Sequence, residues 1–153
     1  MASRLFQEVR ESRGLAYTID ASADQHSDVG RVSVYAGCAA RDAKEVVKLA
    51  AGIWEDLAAK GPTEAELARA KAVATATYAM AAEAPAMRAG SAAYELLTFG
   101  RLIGVGDVLG KIESVSPADV RRVAAATLGQ PAIAAAVGPK AGLAAAEGFT
   151  SGT

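Results

Sequence analysis

One short stretch constrains the fold more than any other: Leu5-Phe6-Gln7-Glu8-Val9-Arg10-Glu11-Ser12-Arg13-Gly14-Leu15-Ala16-Tyr17-Thr18-Ile19. Leu5 and Val9 lie four apart and share one helical stripe, and Phe6 and Arg10 share the next. Gly14 is suited to the left-handed residue that closes a helix. Arg10 and Arg13 fall in the last turn, where cations complement the helix dipole. Beyond Gly14 the pattern changes to period two, with Leu15, Tyr17 and Ile19 expected on one face and Ala16, Thr18 and Asp20 on the other. A helix over 2–13 must therefore turn directly into a strand. A cation at Arg10 and a phenol at Tyr17 flank that turn. Read locally, Arg10 is a solvated helix-end charge and Tyr17 a core aromatic.

The rest of the chain extends this start. Residues 15–24 and 30–38 predict an antiparallel hairpin, with Gln25-His26-Ser27-Asp28 in its turn. A helix is expected over 43–59, with Val46, Leu49, Ile53 and Leu57 as its buried stripe, and Gly61-Pro62 ends it. Thr63-Glu64-Ala65-Glu66 is a capping box that starts a helix over 64–82. Pro85 interrupts the pattern, which resumes to Phe99 and stops at Gly100. A short helix is expected over 107–113. Ser116-Pro117-Ala118-Asp119 opens another, ending at Gly129. Ala132 to Val137 alternates as a last strand. The expected fold class is α+β, an antiparallel sheet with helices packed on one face. The Gly- and Ala-rich segment 140–153 is expected to be a loose tail.

Composition excludes several functions. The chain has 153 residues, a net charge of −1 and a sequence pI near 5.9, so it offers no basic field for nucleic acid. Much of the 52% hydrophobic content is alanine, which suits close helix contacts. No apolar run long enough to span a membrane occurs, and Met1-Ala2-Ser3-Arg4 begins no signal-peptide segment. Together these give a cytoplasmic expectation. The chemistry-bearing residues are sparse. One histidine, His26, and one cysteine, Cys38, cannot supply the three ligands of a hydrolytic zinc site. They read as a solvated turn histidine and a small buried hydrophobe at a strand end. No serine or cysteine nucleophile has a base within reach of a sequence motif. Gly104-Val105-Gly106-Asp107-Val108-Leu109-Gly110 follows a helix rather than a strand, so it reads as an inter-helix turn, not a nucleotide loop. A stand-alone enzyme of another class is therefore disfavoured.

The Phe6…Arg10…Tyr17 stretch resembles the Arg…Tyr segment of the pitrilysin/insulinase-type zinc peptidases, which include the mitochondrial processing peptidases and their bacterial relatives. Ser3-Arg4-Leu5-Phe6, Val34-Tyr35-Ala36-Gly37, Thr63 to Lys71, Leu97-Thr98-Phe99-Gly100-Arg101, Val115 to Val120 and Val137-Gly138-Pro139 are similar to the same family, so the resemblance covers about residues 2–139. It implies that 1–139 is the C-terminal, non-metal domain of a processing-peptidase-like enzyme, lacking a leading strand and helix. It implies substrate-contacting roles for Arg10 and Tyr17, which approach the oxygen that develops charge, and an apolar contact for Phe6. The family's zinc is held by a His-x-x-Glu-His motif, absent here. No metal or other cofactor is thus expected in this chain, and zinc is expected in a partner half, in the same polypeptide or a separate subunit. Without that half the chain is expected to be inactive and to self-associate. The alternative is an inactive scaffold or interaction subunit of the same fold, for which Arg10 and Tyr17 together would have no use.

Overall fold

The computed structural model describes residues 3–26 and 28–150; Ser27 of the expected turn lies outside them. The described elements run in the order π-helical segment (Phe6–Glu11), β1 (Ala16–Gln25), β2 (Gly30–Cys38), α1 (Ala43–Lys60), α2 (Glu64–Glu83), α3 (Pro85–Phe99), α4 (Val105–Ser114), α5 (Pro117–Leu128) and α6 (Lys140–Thr150). The fold class is α+β, a two-stranded antiparallel sheet with helices. The chain divides into two compact units. One comprises residues up to Gly61 and from Arg121 onward; the other spans Pro62–Val120.

The first unit holds the principal core. Leu5, Val9, Ala16, Ile19 and Val46 are buried together, and Leu15, Ala36, Cys38, Leu49, Ala50 and Ile53 pack around them. The N-terminal segment, both strands and α1 thus share one apolar cluster. Helix α1 keeps the expected stripe through Val46, Leu49 and Ile53. It stops at Gly61, whose φ of 76° lies in the left-handed range that glycine adopts without strain. Arg4 ties the N-terminus to the end of α1, with Nη1 2.8 Å from Asp56 Oδ2 and Nη2 donating to the Gly61 carbonyl at 3.1 Å. Trp54 Nε1 donates to the Ala124 carbonyl at 3.3 Å, which anchors the far end of α5 on α1. The strands pair from Ala16↔Cys38 to Gln25↔Gly30. Ser22 and Ser33 meet across them at 3.0 Å, and Arg31 Nη2 pairs with Asp24 Oδ2 at 2.6 Å.

The second unit is a helix assembly. The capping box forms as read: Thr63 Oγ1 accepts from Glu66 N–H at 3.2 Å, and Glu66 Oε2 accepts from Thr63 N–H at 2.7 Å. Pro85 sits at the first position of α3, and Gly100 closes that helix at φ 68°. Lys71 Nζ bonds the Glu113 carbonyl at 2.5 Å, joining α2 to α4. The Ser116 hydroxyl accepts from Asp119 N–H at 3.2 Å at the start of α5.

Four expectations are corrected. Residues 132–137 form no strand, because no neighbour among the described residues offers a ladder; Ile133 and Val137 are fully exposed there. The sheet among the described residues therefore has two strands, not three. The segment after Pro139 is not loose where described. It forms α6, which packs on α1, and its Gly142 lies close enough to Ala40 that an added Cβ would sit 3.4 Å from the Ala40 Cα. Gly104 is the N-cap of α4, and the rest of the glycine-spaced run lies within that helix rather than in a turn. Finally, Tyr17 does not share a face with Ile19, for a reason that belongs to the site.

Candidate functional site

Two backbone irregularities meet at Gly14. The first is in the segment before it. Residues Phe6–Glu11 form a π-helix instead of the expected α-helix: the Ser12 amide donates to the Gln7 carbonyl at 2.8 Å, five residues back. Such widened turns occur mostly as short insertions, often at functional sites. The Gly14 amide donates to Arg10 and the Leu15 amide to Val9, so the last carbonyls are satisfied as the chain leaves the helix. Gly14 makes this exit at φ 61°. Val9, which is completely buried, fixes the segment to the core between the half-buried Phe6 and the exposed Arg10.

The second irregularity is a β-bulge. Ala16 pairs with Cys38 and Thr18 with Gly37, so Tyr17 is the extra residue. A bulge breaks the alternation of a strand and re-aims one side chain. Here Ala16 and Ile19 stay in the core, while Tyr17 is 83% exposed. The local reading of Tyr17 as a core aromatic on one face with Ile19 thereby fails. Gly37 admits the close pairing: a Cβ there would lie 2.9 Å from Thr18 Oγ1. Sequence reasoning passed over Gly37 as a positioning residue, although a glycine inside a strand is the usual sign of a bulge or close approach.

The result is a cluster of three side chains. The Arg10 guanidinium carbon lies 4.9 Å from the Phe6 ring centre and 5.9 Å from the Tyr17 ring centre. Both distances fall within the range of cation–π attraction, about 0.5–1 kcal/mol each at exposed sites. The neighbouring Arg13 approaches Glu8 at 4.0 Å and Glu45 at 3.8 Å. Arg10, by contrast, forms no ion pair or hydrogen bond from its guanidinium among the described residues, and neither does the Tyr17 hydroxyl. The sequence placed Phe6, Arg10 and Tyr17 as candidates, and the structure brings all three together. Chemically they offer a permanent cation with unspent planar donors, a phenolic O–H and an apolar ring.

The remaining candidates stay apart from this cluster. His26 follows β1, its amide donating to the Val29 carbonyl at 2.8 Å. Cys38 ends β2, half-buried against the core. Burial pushes its thiol above the usual value, and the Asp42 carboxylate adds to the effect. No group of three His, Cys, Asp or Glu among the described residues could hold a metal, so the residues present do not fit a zinc site. A shallow cavity of about 360 Å³ in the second unit is lined by Arg101, Ile103, Asp107, Gly110, Lys111 and Ser114, none of them a candidate. No helix among the described residues is long and apolar enough to cross a membrane.

Comparison with known proteins follows the same residues. The family model described as "Peptidase M16 inactive domain" matches residues 1–74, which include the π-helical segment, the hairpin and α1. The chain is 35% identical over 139 residues to an uncharacterized zinc protease of Streptomyces coelicolor, covering 91% of this chain and 30% of that protein. An uncharacterized zinc protease of Mycobacterium tuberculosis is 35% identical over the same length, with 91% and 32% covered. The chain thus spans about a third of the length of these relatives. Among solved structures, Complex III2 from Candida albicans, Inz-5 bound, contains a chain that superposes with a TM-score of 0.74. The identity is 20%, covering 82% of this chain and 30% of that one, and the likeness speaks for the fold. This chain belongs to the pitrilysin/insulinase-type, or M16, zinc peptidase family, and its residues 1–74 match that family's inactive domain.

Proposed function

We propose that this chain is the substrate-contacting, non-metal half of a zinc metalloendopeptidase. Peptide hydrolysis then requires a metal-bearing half, in the same polypeptide or as a separate subunit. Arg10 donates to the backbone carbonyls of a bound peptide, and its fixed charge suits oxygen acceptors. Tyr17 donates its O–H to the oxygen on which negative charge grows as the scissile carbonyl is attacked. Phe6 supplies the apolar ring on which the Arg10 guanidinium rests. Zinc, when bound by the other half, supplies the activation of water that this chain's residues do not provide.

One observation carries the reading: a bulge and a π-turn together expose Arg10 and Tyr17 side by side, with their donors unused. A scaffold of the same fold gains nothing from exposing a phenol that alternation alone would have buried. The test is reconstitution. This chain and a metal-bearing half from the same protein are assayed on quenched peptides, separately and together. Turnover should appear with both and vanish on chelation. Chelator-sensitive turnover by this chain alone, or full turnover by the other half alone, would overturn the proposal.

A further inference from the structure

The geometry points to Phe6 as a positioning residue that holds the Arg10 guanidinium ready for its acceptor, acting through Arg10 rather than on the substrate. This inference rests on the functional reading above and deepens it.

An arginine can be oriented in two ways. A carboxylate holds it by in-plane hydrogen bonds, which use up the donors that substrate would need. An aromatic ring holds it from the face and spends none of its five N–H groups. The structure takes the second route. Phe6, half-buried on the π-helical segment, lies 4.9 Å from the guanidinium carbon. Its ring is the nearer of the two, since Tyr17 stands at 5.9 Å and is itself exposed. The nearby acidic residues Glu8 and Glu45 face Arg13 instead. Arg10 is therefore held without being neutralised, and a flexible side chain loses less freedom when it meets its acceptor.

A residue that only lines a side-chain pocket behaves differently on mutation. Its loss changes the preference among substrates and persists whatever stands at position 10. A positioning residue lowers turnover on every substrate alike, and its loss matters only while Arg10 is present.

The test uses the complete peptidase with a panel of peptides that differ in side chains near the cleaved bond. Phe6→Leu should lower kcat/KM about two- to fivefold on every peptide, the factor that about 0.5–1 kcal/mol of cation–π attraction gives. Phe6→Tyr keeps the ring and should restore the rate. In an Arg10→Ala background, Phe6→Leu should cost nothing further. The second readout is independent of activity: in protein carrying 15N-arginine, the Arg10 Nε–Hε proton should be shifted upfield by the ring, and Phe6→Leu should remove that shift. Additive losses, a peptide-dependent loss, or an unmoved arginine resonance would each overturn the inference. If Arg10→Ala left turnover intact while the resonance still moved, the functional reading would fail and the stacking would stand.

Discussion

Val9→Ala is the change that should most damage the platform carrying the site. Val9 is completely buried, and it is the largest fully buried side chain described. It contacts the cluster formed with Leu5, Ala16, Ile19 and Val46, and it lies between Phe6 and Arg10 in sequence. Replacing valine by alanine removes two carbons, or about 1.6 kcal/mol of transfer free energy at about 0.8 kcal/mol per methylene. A cavity on the order of 40 Å³, at about 24 cal/mol per Å³, adds about 1 kcal/mol if the neighbours do not close in. The expected loss is thus about 2–3 kcal/mol, or about 4–12 °C in Tm for a chain of this size. Urea denaturation followed by circular dichroism measures it, with an unchanged slope confirming that the two-state comparison holds. Tyr17→Phe serves as the control, since an exposed hydroxyl without a partner should leave the midpoint unmoved. A Val9→Ala loss below about 0.5 kcal/mol at unchanged slope would refute the packing argument, because a close-packed site cannot give up two carbons so cheaply.

Three further outcomes are expected. Gly14→Ala meets no atom within 4 Å, so its cost is purely conformational: φ of 61° should make it about 1–2 kcal/mol less stable by thermal melting. Cys38 should alkylate more slowly in the folded chain than in denaturant, because burial first and Asp42 second raise the thiol. The sign follows: with the folded value above the unfolded one, this group's contribution is intact below the usual 9.0 and is lost as pH rises through the folded value, so alkaline melts should fall. Light scattering on this chain should show self-association that grows with concentration. Each strand of a two-stranded sheet presents an outer edge, and Ile133 and Val137 are exposed beside unladdered backbone.

How much of this was legible in the sequence depended on the range of the interactions involved. Local chemistry read through: the Thr63–Glu66 capping box, the Gly61 and Gly100 stops and the Ser116–Asp119 start all appear where their residue types place them. The hairpin and the stripe of α1 also follow from periodicity. What failed depends on partners. Ala132–Val137 has the alternation of a strand, yet alternation cannot create a ladder where no neighbour is paired. The bulge at Tyr17 is a property of register with Cys38 and Gly37, some twenty residues away, and one strand read alone cannot show it. The π-helical turn likewise leaves Leu5 and Val9 on one buried stripe, so the apolar pattern does not distinguish it from an α-helix. Position 17 was found by the family's Arg…Tyr spacing; its exposure was not.

The central claim is that Arg10 and Tyr17 act on substrate. Steady-state kinetics of Arg10→Ala and Tyr17→Phe in the complete peptidase test it most directly. A hydrogen bond to a charged group contributes about 1.5–3 kcal/mol, so Arg10→Ala should lower kcat/KM about ten- to a hundredfold. Tyr17→Phe should lose a similar or smaller factor. Because both contacts strengthen as charge develops, the loss should fall on kcat more than on KM, with the melting temperature unchanged for Tyr17→Phe and lowered by no more than a few degrees for Arg10→Ala, which gives up its two ring contacts. Wild-type turnover in both variants would contradict the account and return Arg10 to a surface charge and Tyr17 to an exposed ring without a task.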